Sequence, residues 1–209
     1  MRPPSWRRFL CIAAILAAGL CIGGCQRFHH TDTQPLSQSG FWSDTIQKLR
    51  DLNVGDSEVS ELITLRNAGF SDDSCVEFVQ LARAQKQMFT GGDRAAGLLR
   101  SGLAEPTVME LARLNQMDTW AADAQTIRLA GYSDRVVLAV AHRRADHEPV
   151  ASAASLVELK NTDVTEQQVL DMISRGLTDE QVGQKLAAHK QTEMPKVVYV
   201  HRAPRKKKY

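Results

Sequence analysis

Four cysteines carry the most reactive side chains of this 209-residue chain: Cys11, Cys21, Cys25 and Cys75. A thiolate is both a nucleophile and a metal ligand. Cys75 falls four residues after a predicted helix cap at Ser71, and no sequence feature supplies it with a base, so it reads as a buried structural thiol. His29-His30 could bind a metal, but nothing nearby completes a site. His142 and His147 do not share a helix face and make no metal pair. Asp72-Asp73 and Asp179-Glu180 are paired acids, each explained by the attraction of negative charge to the first turn of a helix. The HExxH, P-loop, GxSxG and CxxC patterns do not occur. No catalytic residue, metal ligand or cofactor is assigned from the sequence.

The start of the chain is more specific. Met1 to Arg8 carries Arg2, Arg7 and Arg8 and no acid, and Phe9 to Ile22 is an uncharged apolar run. A basic flank before a short apolar core is the layout of a secretory signal. The run falls short of the roughly 20 residues that span a bilayer. It closes on Ile22-Gly23-Gly24-Cys25. A branched aliphatic residue, two small residues and a cysteine resemble the lipobox of bacterial lipoproteins. The resemblance implies cleavage between Gly24 and Cys25 and a thioether-linked lipid on Cys25. Acyl chains would then hold the protein at a membrane, each buried methylene contributing about 0.8 kcal/mol. Position 26 is Gln rather than Asp, which in a Gram-negative cell resembles the default for an outer-membrane lipoprotein facing the periplasm.

Charge is unevenly distributed. The chain holds 26 basic and 24 acidic residues, and removal of residues 1–24 takes three arginines with it (26 − 3 = 23). Residues 196–209 contain Lys196, Arg202, Arg205, Lys206, Lys207 and Lys208 and no acid, which leaves the remainder acidic. An acidic body therefore carries a basic tail. Arg202 and Arg205 to Lys208 are the candidate contacts for an anionic partner: a lipid headgroup, an anionic envelope polymer or an acidic protein. Near an anionic membrane each such residue contributes about 1 kcal/mol. Nucleic acid is not expected at an exported site. With Cys11 and Cys21 in the signal and Cys25 lipidated, only Cys75 remains, so packing alone must hold the body.

The elements that would position these features are helices. Aromatic residues are scarce and Pro is rare in the middle of the chain. One phrase recurs: Gly69-Phe70-Ser71-Asp72, Gly131-Tyr132-Ser133-Asp134 and Gly176-Leu177-Thr178-Asp179, with a looser copy at Gly102-Leu103-Ala104-Glu105. Gly takes the left-handed position that ends a helix, and a large apolar residue folds back onto the core. Ser or Thr caps the next helix and the acid lies in its first turn. Thr178 and Gln181 form a capping box. Val54 to Val59 also lines up with Val164 to Val169.

The turns at Gly69, Gly102, Gly131 and Gly176 are 33, 29 and 45 residues apart. This irregular spacing leaves two all-α readings open, a short array of helix-turn-helix repeats or an irregular bundle. Gly91-Gly92-Asp93 and the segment around Pro149 are the expected breaks between units, and Trp120 is an expected core anchor. The stretch from Asp163 to Val182 resembles short helix-turn-helix repeats of exported bacterial proteins of unknown function.

The expected organisation is a signal peptide over residues 1–24, a flexible tether over 25–44, a helical domain over 45–192 and an extended basic tail over 193–209. Val197 to Val200 is β-favouring and reads as an edge strand or extended peptide. The expected function is binding or scaffolding at the cell envelope. The alternatives are an envelope enzyme or accessory subunit with a site assembled from scattered residues, and a purely structural envelope component.

Overall fold

The computed structural model describes residues 31–193, with side chains to Lys190. Eleven helices and no strand occur among the described residues. They are α1 (Gln34–Gln38), α2 (Ser43–Asp51), α3 (Asp56–Ala68), α4 (Asp72–Ala84), α5 (Gly92–Arg100), α6 (Glu105–Arg113), α7 (Met117–Leu129), α8 (Asp134–Ala145), α9 (Ala153–Lys160), α10 (Glu166–Ser174) and α11 (Asp179–Glu193).

The helices stack in two rows. Each odd helix packs on the next odd helix, from α1 through α11, and each even helix packs on the next even one, from α2 through α10. Each odd helix from α1 to α7 packs as a hairpin on the even helix that follows it, so the body is an array of helix-turn-helix units. An isolated nine-residue helix is marginal in water. In α6, Thr107, Val108, Leu111 and Ala112 are all buried, and in α8 Val136, Val137, Val140 and Ala141 repeat that spacing. Full burial of a large apolar side chain contributes about 1.5–3 kcal/mol. Stacking, rather than helix propensity, therefore holds these short elements together.

The irregular glycine spacing has a simple cause. Long hairpins, with helices of 13 or 12 residues, alternate with short ones of 8 or 9. The period appears only over two hairpins. Gly40 and Gly102, Asn53 and Asn115, and Gly69 and Gly131 each lie 62 residues apart (131 − 69 = 62), and all six have positive φ. Lys86 and His147, also at positive φ, are 61 apart (147 − 86 = 61). Gly176 does not belong with Gly69, Gly102 and Gly131. It joins an even helix to an odd one, where the two earlier periods use Asn53 and Asn115.

Two sequence readings are corrected. The expected tether runs into the fold: residues 34–38 and 43 onward are helical, and Leu36 and Phe41 are buried. Their apolar side chains pack where a solvated linker was expected. The match between Val54–Val59 and Val164–Val169 joins an odd helix to an even one. What the two segments share is capping chemistry, with Glu58 reaching back to the Gly55 amide and Gln168 to the Thr165 amide. The segments after α4 and α8, at Gly91-Gly92-Asp93 and around Pro149, join successive hairpins, where the sequence places the breaks between helix-turn-helix units.

Candidate functional site

The described body is held by a chain of carboxylates that starts from the recurring acid. From α4 to α10, the acid at the first position of each even helix accepts the amide of the residue capping the previous even helix. Asp72 Oδ2 accepts from the Trp42 amide at 2.9 Å, Glu105 Oε1 from Ser71 at 2.9 Å, Asp134 Oδ2 from Ala104 at 2.8 Å and Glu166 Oε2 from Ser133 at 3.2 Å. In the odd row, Asp179 Oδ1 accepts from the Ser152 amide at 2.7 Å. The sequence placed Asp72, Glu105, Asp134 and Asp179 in first turns and missed that each also closes a neighbouring helix. A free amide at a helix start needs such a partner. Ser133 departs from the capping expectation, since its hydroxyl donates to Glu166 rather than accepting within α8.

The hydrogen bonds shift the acids. The Ser133 hydroxyl and amide draw the Glu166 carboxyl below its ordinary range, and the Ser155 hydroxyl does the same for Asp179. Burial pushes Glu105 up, but bonds from Ser71 and Ser74 outweigh it and the net shift is down.

An arginine accompanies the ladder. Arg66 Nη2 donates to the Gly40 carbonyl at 3.2 Å and Nη1 to the Phe70 carbonyl at 3.1 Å. One period later Arg128 Nε donates to Gly102 at 3.0 Å and Nη1 to Tyr132 at 2.9 Å. Each also pairs with the acid of its own turn, Asp72 at 3.3 Å and Asp134 at 3.7 Å. The signal was present in the sequence as Arg66 and Arg128, three residues before Gly69 and Gly131.

The outer face of the even row carries a second ionic series. Arg113 lies 2.6 Å from Glu77 of α4 and 3.2 Å from Glu110 of its own helix, and Glu110 lies 3.7 Å from His142 of α8. Lys48 and Asp73 face each other across α2 and α4 at 3.8 Å. The result is a charged surface that crosses several hairpins.

Reactive groups are withdrawn from that surface. Cys75 is fully buried and its thiol is pushed up to about 12, by burial first and by Asp72 second. Tyr132 is buried with its hydroxyl donating to the Leu156 carbonyl at 2.8 Å, and burial pushes it up to about 12. Trp120 is buried, with the Arg144 guanidinium 5.7 Å from its ring centre. Among the described residues no group of three His, Cys, Asp or Glu side chains is disposed to hold a metal ion, and no helix is long and apolar enough to cross a membrane.

The four candidate turn glycines all have positive φ: Gly69 at 106°, Gly102 at 94°, Gly131 at 88° and Gly176 at 87°. Gly24, Cys25, the His29-His30 pair, Arg202 and Arg205 to Lys208 lie outside the described residues, as does the expected strand at 197–200. No family model matches the chain, and no curated protein or solved structure shows significant similarity to it.

Proposed function

We propose that the protein is a lipid-anchored component of the bacterial cell envelope that acts as a binding or scaffold module. The observation that carries the reading is the stacked two-row array. Each unit contacts only its neighbours, and such arrays present an extended surface instead of a closed cleft. The Glu77–Arg113–Glu110–His142 series supplies that surface with charged contacts. Cys25 holds the lipid and Gly24–Cys25 is the cleavage point. Arg202 and Arg205 to Lys208 add an electrostatic contact to an anionic headgroup, envelope polymer or acidic protein, and the protein faces the periplasm from the outer membrane in a Gram-negative cell.

Two experiments test this. Cells carrying the wild-type chain or Cys25→Ser are labelled with a fatty-acid analogue. The wild type takes up label and stays with membranes, whereas the variant does neither. Lipid labelling of the variant would sink the anchor reading. The wild type and a chain stopped after Pro195, each with Cys25→Ser, are then sedimented with purified envelopes across a salt series. Salt-sensitive binding lost on truncation supports docking through the tail, because screening shortens the reach of exposed charges to about 8 Å at physiological salt. Equal binding by both chains assigns recognition to the helical body.

A further inference from the structure

The residue before each even helix occupies a capping position, where Ser, Thr, Asp and Asn are favoured because their side chains accept an amide of the first turn. Ser71, Ala104, Ser133 and Thr165 hold that place before α4, α6, α8 and α10, and Trp42 holds it before α2. Trp42 supplies no side-chain cap, and its amide is held by Asp72. The neighbouring Phe41 is buried, whereas Trp42 is 74% exposed. The fold uses Phe41 and leaves the indole of Trp42 in solvent.

The segment that carries Trp42 is free of charge. Residues 33–43 contain no acidic or basic side chain, and Gln34, Ser37, Gln38, Gly40 and Ser43 are exposed with the indole. Uncharged groups enter the headgroup region of a bilayer without the cost of desolvating an ion. Tryptophan favours that region, because its ring is apolar and its N–H still finds an acceptor there.

Its place in the fold is close to the start of the described body. The Thr33 carbonyl accepts the Leu36 amide at 3.1 Å, and the Leu36 carbonyl accepts the Phe41 amide at 3.2 Å. Arg50 Nη2 of α2 donates to Thr33 Oγ1 at 2.6 Å. Thr33 and Trp42 therefore belong to one tightly bonded end of the array. Eight peptide steps separate Cys25 from Thr33 (33 − 25 = 8), and a chain of that length reaches at most about 29 Å.

We propose that Trp42 is a membrane-contact residue, whose indole seats the α1–α2 end of the array at the headgroup level of the bilayer that holds the lipid on Cys25. The inference rests on the lipid-anchor reading. Unlike docking through the basic tail, this contact needs no anionic partner and persists at high salt, because salt screens charges and not the burial of an apolar ring.

The test imposes the anchor chemically, so its outcome does not depend on lipidation in the cell. The chain from Cys25 to Tyr209, which contains the whole described body, is coupled through the Cys25 thiol to maleimide-headgroup lipid in phosphatidylcholine vesicles at high salt. Cys75 is buried and does not compete. The tryptophans of this chain are Trp42 and the buried Trp120. On attachment, emission is expected to shift to the blue, to be quenched by lipids with brominated acyl chains, and to become less sensitive to aqueous iodide than in the uncoupled chain. Trp42→Ser places a favoured cap before α2, so it keeps the fold and is expected to lose all of these changes. Emission and iodide quenching that stay the same on attachment overturn the proposal. Bromine quenching that persists in Trp42→Ser also overturns it, since Trp120 alone then meets the lipid and the body has opened. Fatty-acid labelling in cells judges the anchor separately, so a labelled protein whose Trp42 stays in water strikes this inference and leaves the anchor standing.

Discussion

Glu58 Oε2 lies 2.6 Å from Arg83 Nη2, and the Glu58 side chain is 1% exposed. The same carboxylate accepts the Gly55 amide at 2.9 Å and the Phe89 amide at 2.6 Å, so it ties the start of α3 to the link that follows α4. One period later the equivalent residues are Trp120 and Arg144, which meet as a ring and a guanidinium. The two periods keep the place of the contact and change its chemistry. Burial pushes the Glu58 carboxyl up, but Arg83 and the two amides outweigh it, and the net shift is down.

Glu58→Ala is expected to cost about 3–5 kcal/mol, because it leaves the Arg83 charge without its partner. Glu58→Gln keeps a carbonyl oxygen for one of the amides and is expected to lose less. Urea unfolding of the two variants beside the wild type checks the order. Equal stability of all three chains would remove Glu58 from the account of the fold.

The lowered carboxyls of Glu58, Glu105, Glu166 and Asp179 make stability depend on pH. A carboxyl whose folded pKa lies below its unfolded value stabilises the folded chain by an amount fully present above the unfolded pKa. The ordinary value is 4.5 for Glu and 3.8 for Asp. Stability is therefore expected to hold from neutral pH to about 5 and to fall progressively below that as protons enter the native carboxyls. Glu105→Gln with Glu166→Gln should lower the urea midpoint at pH 7 and flatten its decline in acid. An identical acid profile in wild type and variant contradicts the ladder.

Turn chemistry gives a pair of opposite effects. Gly131 has φ 88°, and Gly131→Ala is expected to cost about 1–2 kcal/mol through the left-handed backbone. Lys86 has φ 58° with a full side chain, so Lys86→Gly is expected to leave stability unchanged or raise it by up to about 1 kcal/mol. Thermal melts of both variants decide the sign.

Cys75 should resist alkylation in the folded protein at pH 8, since its thiol is buried and titrates near 12. Peptide mapping after brief treatment is expected to find Cys75 unmodified in buffer and modified in urea. Rapid labelling in buffer would show that α4 opens far more readily than its packing implies.

Much of the architecture was legible because it rests on local chemistry. A glycine, a large apolar residue, a hydroxyl and an acid in succession define a helix end and the next helix start, and three such phrases located the turns at Gly69, Gly131 and Gly176. The period was hidden for two physical reasons. Asn53 and Asn115 take the left-handed backbone that Gly176 takes, so counting glycines mixed two kinds of turn. Hairpins of two lengths also alternate, so neighbouring spacings differ. The carboxylate ladder was half legible. Asp72 and Glu105 were visible as first-turn acids, but their partners Trp42 and Ser71 lie 30 and 34 residues away, and only stacking brings them together. Glu58 was missed because an isolated acid near a helix start gives no sign in the sequence that it will be buried.

The ladder also has a direction. Every rung in the even row closes a helix with an acid from the hairpin that follows it, never from the one before. Peeling the body from its C-terminal side removes acids and opens each preceding helix start in turn. Peeling from the N-terminal side removes only amide donors and leaves the remaining starts closed. Under tension the array should therefore behave as a one-way zip, yielding at lower force when unravelled from the α11 end than from α1.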